Sequence, residues 1–166
     1  MTSVLTIVQV QRIYIKASPE AVWAAITKAE WSERYGFGGA VEYQLRPGGR
    51  FAALANEGMR AMGAPEVAVE GEVIEADEPR RLVQTWRVLM DPSMAAEEPS
   101  RVTWEIDERP GGLTRLTVTH ELPDGSAVAA MMAGSMEEMG AGGGWAWVLS
   151  GLKTVLETGE RMEPVR

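Results

Sequence analysis

The sequence predicts an α+β fold in which a curved antiparallel sheet of about seven strands surrounds a long C-terminal helix, with two short helices after the first strand. The C-terminal helix is predicted because apolar residues recur there every three or four positions, at Trp145, Val148, Leu149, Leu152, Val155 and Leu156. The sheet is predicted because most of the preceding chain alternates between apolar and polar residues in short runs. A helix with one apolar face needs a partner surface, so we expect it to lie in the concave face of the sheet.

The N-terminal part of the chain contains a strand followed by two short helices. The strand is predicted from Val4 to Lys16, where β-branched residues alternate with Gln and Arg. Ser18-Pro19-Glu20 then combines an N-cap residue, a proline at the first helical position and an acidic residue in the first turn, three signals of a helix start. A second helix is predicted over Trp31–Tyr35. Gly36-Phe37-Gly38-Gly39 ends it, because glycine readily adopts the positive φ found after helices.

The remaining strands are predicted from alternation and from turn residues. Val41–Leu45 and Phe51–Ala55 form a hairpin across Arg46-Pro47-Gly48-Gly49, because Pro followed by Gly fits the centre of a type II turn. The other segments are, in chain order, the loop Asn56–Glu66, the strands Val67–Ala76 and Leu82–Met90, the acidic loop Asp91–Ser100, and the strands Val102–Ile106 and Leu116–Leu122.

Two segments near the terminal helix have unusual compositions. Ala127–Met139 carries methionines at helical spacing, and we expect either a short helix or a mobile flap there. Gly140–Gly144 has too many glycines for a helix interior, so it is expected to be a hinge at the start of the terminal helix. Gly151, inside that helix, indicates either a close approach of the sheet or space for a ligand.

Composition narrows the class of protein. A chain of 166 residues fits one domain spanning 1–166. The absence of cysteine excludes a disulfide framework and a thiolate metal site, and the net charge of −8 argues against nucleic acid as a partner. No apolar run is long enough to span a membrane, and Met1–Val10 lacks the features of a signal peptide. We therefore expect a cytoplasmic protein without membrane insertion.

Five segments in a fixed order make the prediction more specific. They are Ala17–Thr27 (ASPEAVWAAIT), Arg46–Phe51 (RPGGRF), Val69–Val73 (VEGEV), Pro79–Trp86 (PRRLVQTW), and Gly144-Trp145 with the leucines that follow. Together they resemble the START-like (SRPBCC) superfamily, which has the helix-grip fold. Within it they are most similar to the bacterial proteins named after the C-terminal domain of the activator of the heat-shock-protein-90 ATPase. The resemblance covers the chain from Val10 to Leu156.

The resemblance implies a cavity between the sheet and the terminal helix, which in many relatives holds lipids, sterols, polyketides or other apolar molecules. It implies no common catalytic set, because the superfamily includes carriers, sensors, cyclases and co-chaperone domains. The expected function is binding of a small hydrophobic or amphipathic molecule, without a cofactor. The alternatives are a cyclase- or hydratase-type enzyme using the same cavity, and an interaction domain that activates a chaperone ATPase. A homodimer is also compatible with the resemblance.

The residues expected to contact the ligand are large apolar or aromatic side chains and one histidine: Trp23, Phe51, Trp86, Trp104, His120, Trp145, Leu149 and Leu152. Aromatic residues pack hydrophobic cores equally well, so we expect some of them in the core and some on the cavity wall. Glu70 and Glu72 lie on one side of a strand, where they form either a polar anchor for the ligand or a solvated sheet face.

His120 is the only histidine, and it lies on an otherwise apolar strand face. Its side chain has a suitable ordinary pKa for a general acid or base, which makes it a candidate catalytic residue. The alternative is a hydrogen-bonded structural histidine, because no Ser or Cys nucleophile stands at a recognisable spacing from it. One histidine, no cysteine and scattered carboxylates predict no metal site.

Overall fold

Seven antiparallel strands form one curved sheet in the order β1-β7-β6-β5-β4-β3-β2. The computed structural model describes residues 6–139 and 142–163. Its strands are β1 (Thr6–Ile15), β2 (Val41–Tyr43), β3 (Arg50–Leu54), β4 (Val67–Asp77), β5 (Arg81–Val88), β6 (Ser100–Arg109) and β7 (Leu113–Pro123). Its helices are α1 (Pro19–Thr27), α2 (Ala29–Ser32), α3 (Glu57–Ala61), α4 (Pro92–Ala95), α5 (Ala127–Met132) and α6 (Gly144–Thr158), and a 3₁₀ turn spans Glu137–Met139. The predicted α+β helix-grip fold is confirmed.

The helix start and the hairpin turn have the geometry that their residues predict. The Ser18 hydroxyl accepts a hydrogen bond from the Ala21 N–H at 3.2 Å, and Pro19 opens α1. In the hairpin turn, Gly48 has a φ of +82°, and the Gly49 N–H donates to the Arg46 carbonyl at 2.8 Å. Two local residue choices therefore fix the direction of the chain at both places.

The bounds of the second helix were wrong, two predicted loops contain short helices, and several strands begin or end a few residues from the predicted positions. The second helix is Ala29–Ser32 rather than Trp31–Tyr35, because the Ser32 hydroxyl donates to the Gly39 carbonyl at 2.9 Å and accepts from the Val41 N–H at 3.0 Å. These bonds attach the helix end to the start of β2. The predicted loops 56–66 and 91–100 contain α3 and α4, which are 5 and 4 residues long. Helices this short show no apolar periodicity.

The terminal helix buries the predicted stripe against the sheet and α1. Trp145, Leu149, Leu152 and Val155 are all almost fully buried, and Val148 nearly so. Gly159 follows the helix with a φ of +77°, which is the left-handed conformation that commonly ends helices. Burying this apolar stripe provides most of the stabilisation that a helix of this length needs.

The described glycines before α6 are explained by close packing. Gly142 and Gly144 both have positive φ, at +81° and +68°. A Cβ at Gly144 would lie 2.2 Å from the Met132 carbonyl oxygen, and one at Gly142 would lie 2.6 Å from the Phe37 ring. Gly140 and Ala141, also part of the predicted hinge, lie outside the described residues, as do Val4 and Leu5 of the predicted first strand.

Gly151 faces the segment after α2 rather than the sheet. A Cβ there would lie 3.2 Å from the Tyr35 Cβ and 3.3 Å from the Gly36 nitrogen. This is already tighter than an ordinary van der Waals contact. The close approach fixes Tyr35–Gly36 against the helix.

We expect Gly151→Leu to destabilise the fold by about 1–3 kcal/mol, because its side chain would force Tyr35–Gly36 away from α6. Ser150→Leu is the matched control, since Ser150 is exposed on the same helix. Urea denaturation monitored by circular dichroism measures both. Equal stability of the two variants would show that the loop moves aside without cost.

Candidate functional site

A cavity of about 520 Å³ lies between the concave face of the sheet, the start of α6 and the segment after α2. Its walls are formed by side chains from several elements: Val41 and Tyr43 from β2, Phe51 and Ala53 from β3, Val69 from β4, Trp86 and Val88 from β5, Trp104 from β6, and Trp145 and Val148 from α6. The remaining lining comes from the loop Tyr35–Gly39, from Met131 and Met132, and from Ile26, Ser32, Leu54, Met59, Met62, Gly63, Ala64, Ala68 and Met90. A volume in this range accommodates a small organic molecule.

The described residues that line the cavity include no Asp, Glu, Lys, Arg or His. A charged ligand group moved from water into this space would find no counter-ion in the wall. The described part of the chain also holds no group of three or more His, Cys, Asp or Glu side chains that would bind a metal. The cavity therefore suits neutral molecules.

Most polar hydrogens of the lining side chains are already used within the protein. The Tyr35 hydroxyl donates to the Ala25 carbonyl at 2.7 Å. The Tyr43 hydroxyl donates to Gln84 Oε1 at 2.7 Å, and Trp104 Nε1 donates to the same oxygen at 3.1 Å. Burial raises the pKa of both tyrosines well above the ordinary value, so both hydroxyls stay protonated. These groups support the wall and do not supply an acid or base.

Aromatic rings provide the shape of the inner wall. Trp86 and Trp145 stack with their ring centroids 5.7 Å apart and an interplanar angle of 29°. The rings of Trp104 and Trp145 meet edge to face with their centroids 5.5 Å apart, and the ring centroids of Tyr43 and Phe51 are 4.7 Å apart. Such contacts stabilise the rings in fixed orientations. The cavity thus has one aromatic side, on which the rings are packed against one another.

His120 belongs to a sealed hydrogen-bond chain. Trp145 Nε1 lies 3.0 Å from His120 Nδ1, and His120 Nε2 lies 2.7 Å from the Ser100 hydroxyl. An indole N–H only donates, so Nδ1 is the acceptor and Nε2 carries the proton. Ser100 in turn donates to the Trp86 carbonyl at 2.9 Å. With a neutral imidazole, every polar group in this hydrogen-bond chain has a partner.

The burial of His120 determines its charge. The side chain is fully buried, and this desolvation lowers its pKa from 6.5 to about 3. A proton on Nδ1 would also point at the Trp145 N–H. His120 is therefore neutral at ordinary pH and works as a structural acceptor for Trp145.

Comparisons with known proteins agree with this architecture. The profile of the family described as "Activator of Hsp90 ATPase homolog 1-like protein" matches residues 16–157. The chain belongs to this family. Its members are named for one relative, and the name alone does not assign an activity to this chain. No protein of curated function matches the sequence at a significant level.

Several solved structures share the fold of the family. CalU16 from Micromonospora echinospora is 25% identical, with a TM-score of 0.53; the match covers 81% of this chain and 69% of that one. An HSP90 activator from Plasmodium falciparum is 22% identical, with a TM-score of 0.63 and coverage of 90% and 95%. The Aha1 dimer from Colwellia psychrerythraea is 19% identical, with a TM-score of 0.62 and coverage of 92% and 98%. No helix in the described part of this family member is long and apolar enough to cross a membrane.

The predicted ligand contacts divide into two sets. Phe51, Trp86, Trp104 and Trp145 lie on the cavity wall. Trp23, Leu149 and Leu152 are buried in the core and are not among the lining residues, and neither is His120. Glu70 and Glu72 are also absent from the wall, and Glu72 is exposed to solvent. Ligand contact is therefore proposed below for the first set only.

Sequence reasoning missed the loop Tyr35–Gly39 and the α3 segment as parts of the wall. The loop separates the cavity from a second groove on its outer side, and both spaces also share Leu54 and Met59. Met62 lines the cavity although 91% of its surface is exposed, which places it at the mouth. Four residues of low helix propensity, Gly36-Phe37-Gly38-Gly39, were a signal of special backbone geometry that we assigned only to a change of direction.

We expect His120→Gln to change the pH dependence of stability. Because the folded-state pKa of His120 is depressed, its stabilising effect is complete above 6.5, the ordinary value, and is lost as the pH falls towards about 3. Wild type should lose about 1.4 kcal/mol more per pH unit than the variant over that interval. Urea denaturation at several pH values measures this difference. Parallel curves for the two proteins would contradict the buried neutral histidine.

Proposed function

We propose that this chain binds a neutral hydrophobic or amphipathic small molecule, without covalent chemistry, in the cavity between the sheet and α6. The observation that supports the proposal is a cavity of about 520 Å³ whose lining, in the part of the chain that the structure describes, contains aromatic and methionine side chains and no charged residue. Trp86, Trp104 and Trp145 would contact flat apolar parts of the ligand. A polar end of an amphipathic ligand would lie at the mouth beside Met62, where water remains accessible.

A cyclase- or hydratase-type reaction has less support. Such chemistry needs a group that exchanges protons with the substrate. Among the described lining residues, Tyr35 and Tyr43 are the ones that titrate, and both hydroxyls donate inside the protein. His120 lies behind Trp145 and Trp86 with both ring nitrogens occupied. We therefore favour binding over catalysis.

Activation of a chaperone ATPase is a second candidate, and family membership is the observation that favours it. If the chain has this function, adding it to an Hsp90-class chaperone from the same organism would raise the rate at which the chaperone hydrolyses ATP. The assay measures phosphate release with and without the chain. An unchanged rate would remove this candidate and leave the ligand-binding proposal untouched.

Two matched probes test the ligand-binding proposal. N-phenyl-1-naphthylamine is neutral, and 1-anilinonaphthalene-8-sulfonate has the same rings with a negative group added. We expect the neutral probe to bind saturably, with fluorescence enhancement, and the sulfonate to bind at least about tenfold more weakly, because the wall lacks a cation. Equal affinity for the two probes would contradict a charge-free binding site.

A substitution in the wall locates the bound probe. Ala53 is half-buried on β3 and lines the cavity, so the ring of Ala53→Phe would occupy space that the ligand needs. We expect this variant to weaken binding of the neutral probe by about tenfold or more. Ala96→Phe is the control, because Ala96 is exposed next to α4 and outside the cavity lining. Unchanged binding by Ala53→Phe with a normal melting temperature would place the probe elsewhere.

A further inference from the structure

The edge strand β1 is covered by α6 at one end only. Lys153 Nζ donates to the Tyr14 carbonyl at 2.7 Å, and the Lys16 N–H donates to Glu157 Oε2 at 2.8 Å. These bonds show that the main-chain groups of Tyr14 and Lys16 point away from β7. Main-chain groups alternate in direction along a strand, so those of Val8, Val10 and Arg12 also point to the open side.

The pairing with β7 supports this assignment. Thr6 is an even number of residues from Val8, so its main-chain groups also point away from β7. It stands opposite Pro123, which has no N–H to donate to it. In the described part of the chain, no hydrogen bond reaches the main-chain groups of Val8, Val10 or Arg12 other than within the strand ladder. As far as the described residues show, the segment Val8–Arg12 is therefore an open sheet edge.

Apolar side chains accompany this open edge. Val8 and Val10 are each 54% exposed, and Tyr14 is 49% exposed. Proteins usually protect long edge strands with charges, prolines or bulges, because such an edge pairs readily with another chain. Here β1 has ten paired residues without a register shift, contains no proline, and carries Arg12 as its one charged side chain. It is well suited to add a strand.

The sequence of the open segment is nearly symmetric about Val10. Reading outward from Val10 in both directions gives Gln9 and Gln11, then Val8 and Arg12, then Ile7 and Ile13. Antiparallel pairing about a twofold axis places each residue opposite its symmetric counterpart on the second copy. Glutamines would then meet glutamines, and isoleucines would meet isoleucines. The centre of the symmetry is also the centre of the segment that α6 leaves open.

The local charge of β1 is compatible with a second copy at this edge. Each chain carries a net charge of −8, so two copies repel one another over most orientations. Strand β1 has no acidic residue, and the symmetric pairing places Arg12 opposite Val8 rather than opposite the other Arg12. Neither like-charged pairs nor buried carboxylates arise along the paired strands.

We propose that this protein forms a homodimer through Val8–Arg12, with two β1 strands paired antiparallel about a twofold axis at Val10. Main-chain hydrogen bonds join Val10 to its counterpart and join Val8 of each copy to Arg12 of the other. One sheet then runs through both copies. This interface is distant from the charge-free cavity in sheet order, since β1 and the cavity strands β2 and β3 lie at opposite edges. The proposal is independent of ligand binding.

Single cysteines test both the interface and its centre, because the chain contains no native cysteine. In the proposed pairing, Val10 lies opposite its own counterpart, with Cα atoms about 5.5 Å apart, which is within the range that a disulfide spans. Two Val8 residues would be separated by four positions along the strands, about 13 Å, which a disulfide cannot bridge. Val8 and Val10 are equally exposed, so Val8→Cys is a matched control.

We expect wild type to sediment at twice the chain mass of 18.1 kDa at high concentration. Under mild oxidation, Val10→Cys should convert to a covalent dimer, whereas Val8→Cys should stay uncrosslinked. A wild type that remains monomeric across the concentration series overturns the proposal. So does equal crosslinking of the two variants, or a wild-type dimer that Val10→Cys fails to link.

Discussion

The indole of Trp145 is the contact on which the rest of this structure depends. It lies at the start of α6, donates its N–H to the buried His120, stacks on Trp86 and meets Trp104 edge to face. The same ring forms part of the cavity wall. Because one side chain belongs to both the core and the cavity, the position of the terminal helix and the shape of the binding space are fixed together.

In the interior, the polar side chains bond to one another rather than pointing into the cavity. Tyr43, Trp104 and Gln84 satisfy one another on one side, and Ser100, His120 and Trp145 do so on the other. The polar groups that hold the wall in place thus direct their hydrogens into the protein. What faces the cavity is mainly apolar surface, which favours enclosure of a neutral molecule over proton transfer. The position of His120 shows how a histidine near a pocket can be purely structural.

Local signals in the sequence predicted the fold well, because helix stripes, N-caps and Pro-Gly turns act over a few residues. Ser18, Gly48 and the apolar face from Trp145 to Leu156 are examples. Which aromatic residues would line the cavity was not predictable in the same way. Trp23 lies in the core and Trp86 lies on the wall, although the residue type is the same at both positions. Their separation, and the pairing of His120 with a tryptophan 25 positions away, depend on the tertiary packing of distant elements.

The central claim is that the cavity encloses a neutral molecule. Native mass spectrometry of the purified wild-type protein, followed by extraction and identification of any retained compound, tests it most directly. The structure predicts one uncharged, largely apolar molecule per chain, released when the protein is denatured. A retained compound with a carboxylate or phosphate held inside the cavity would contradict the account, as would an empty protein that also takes up no neutral aromatic compound.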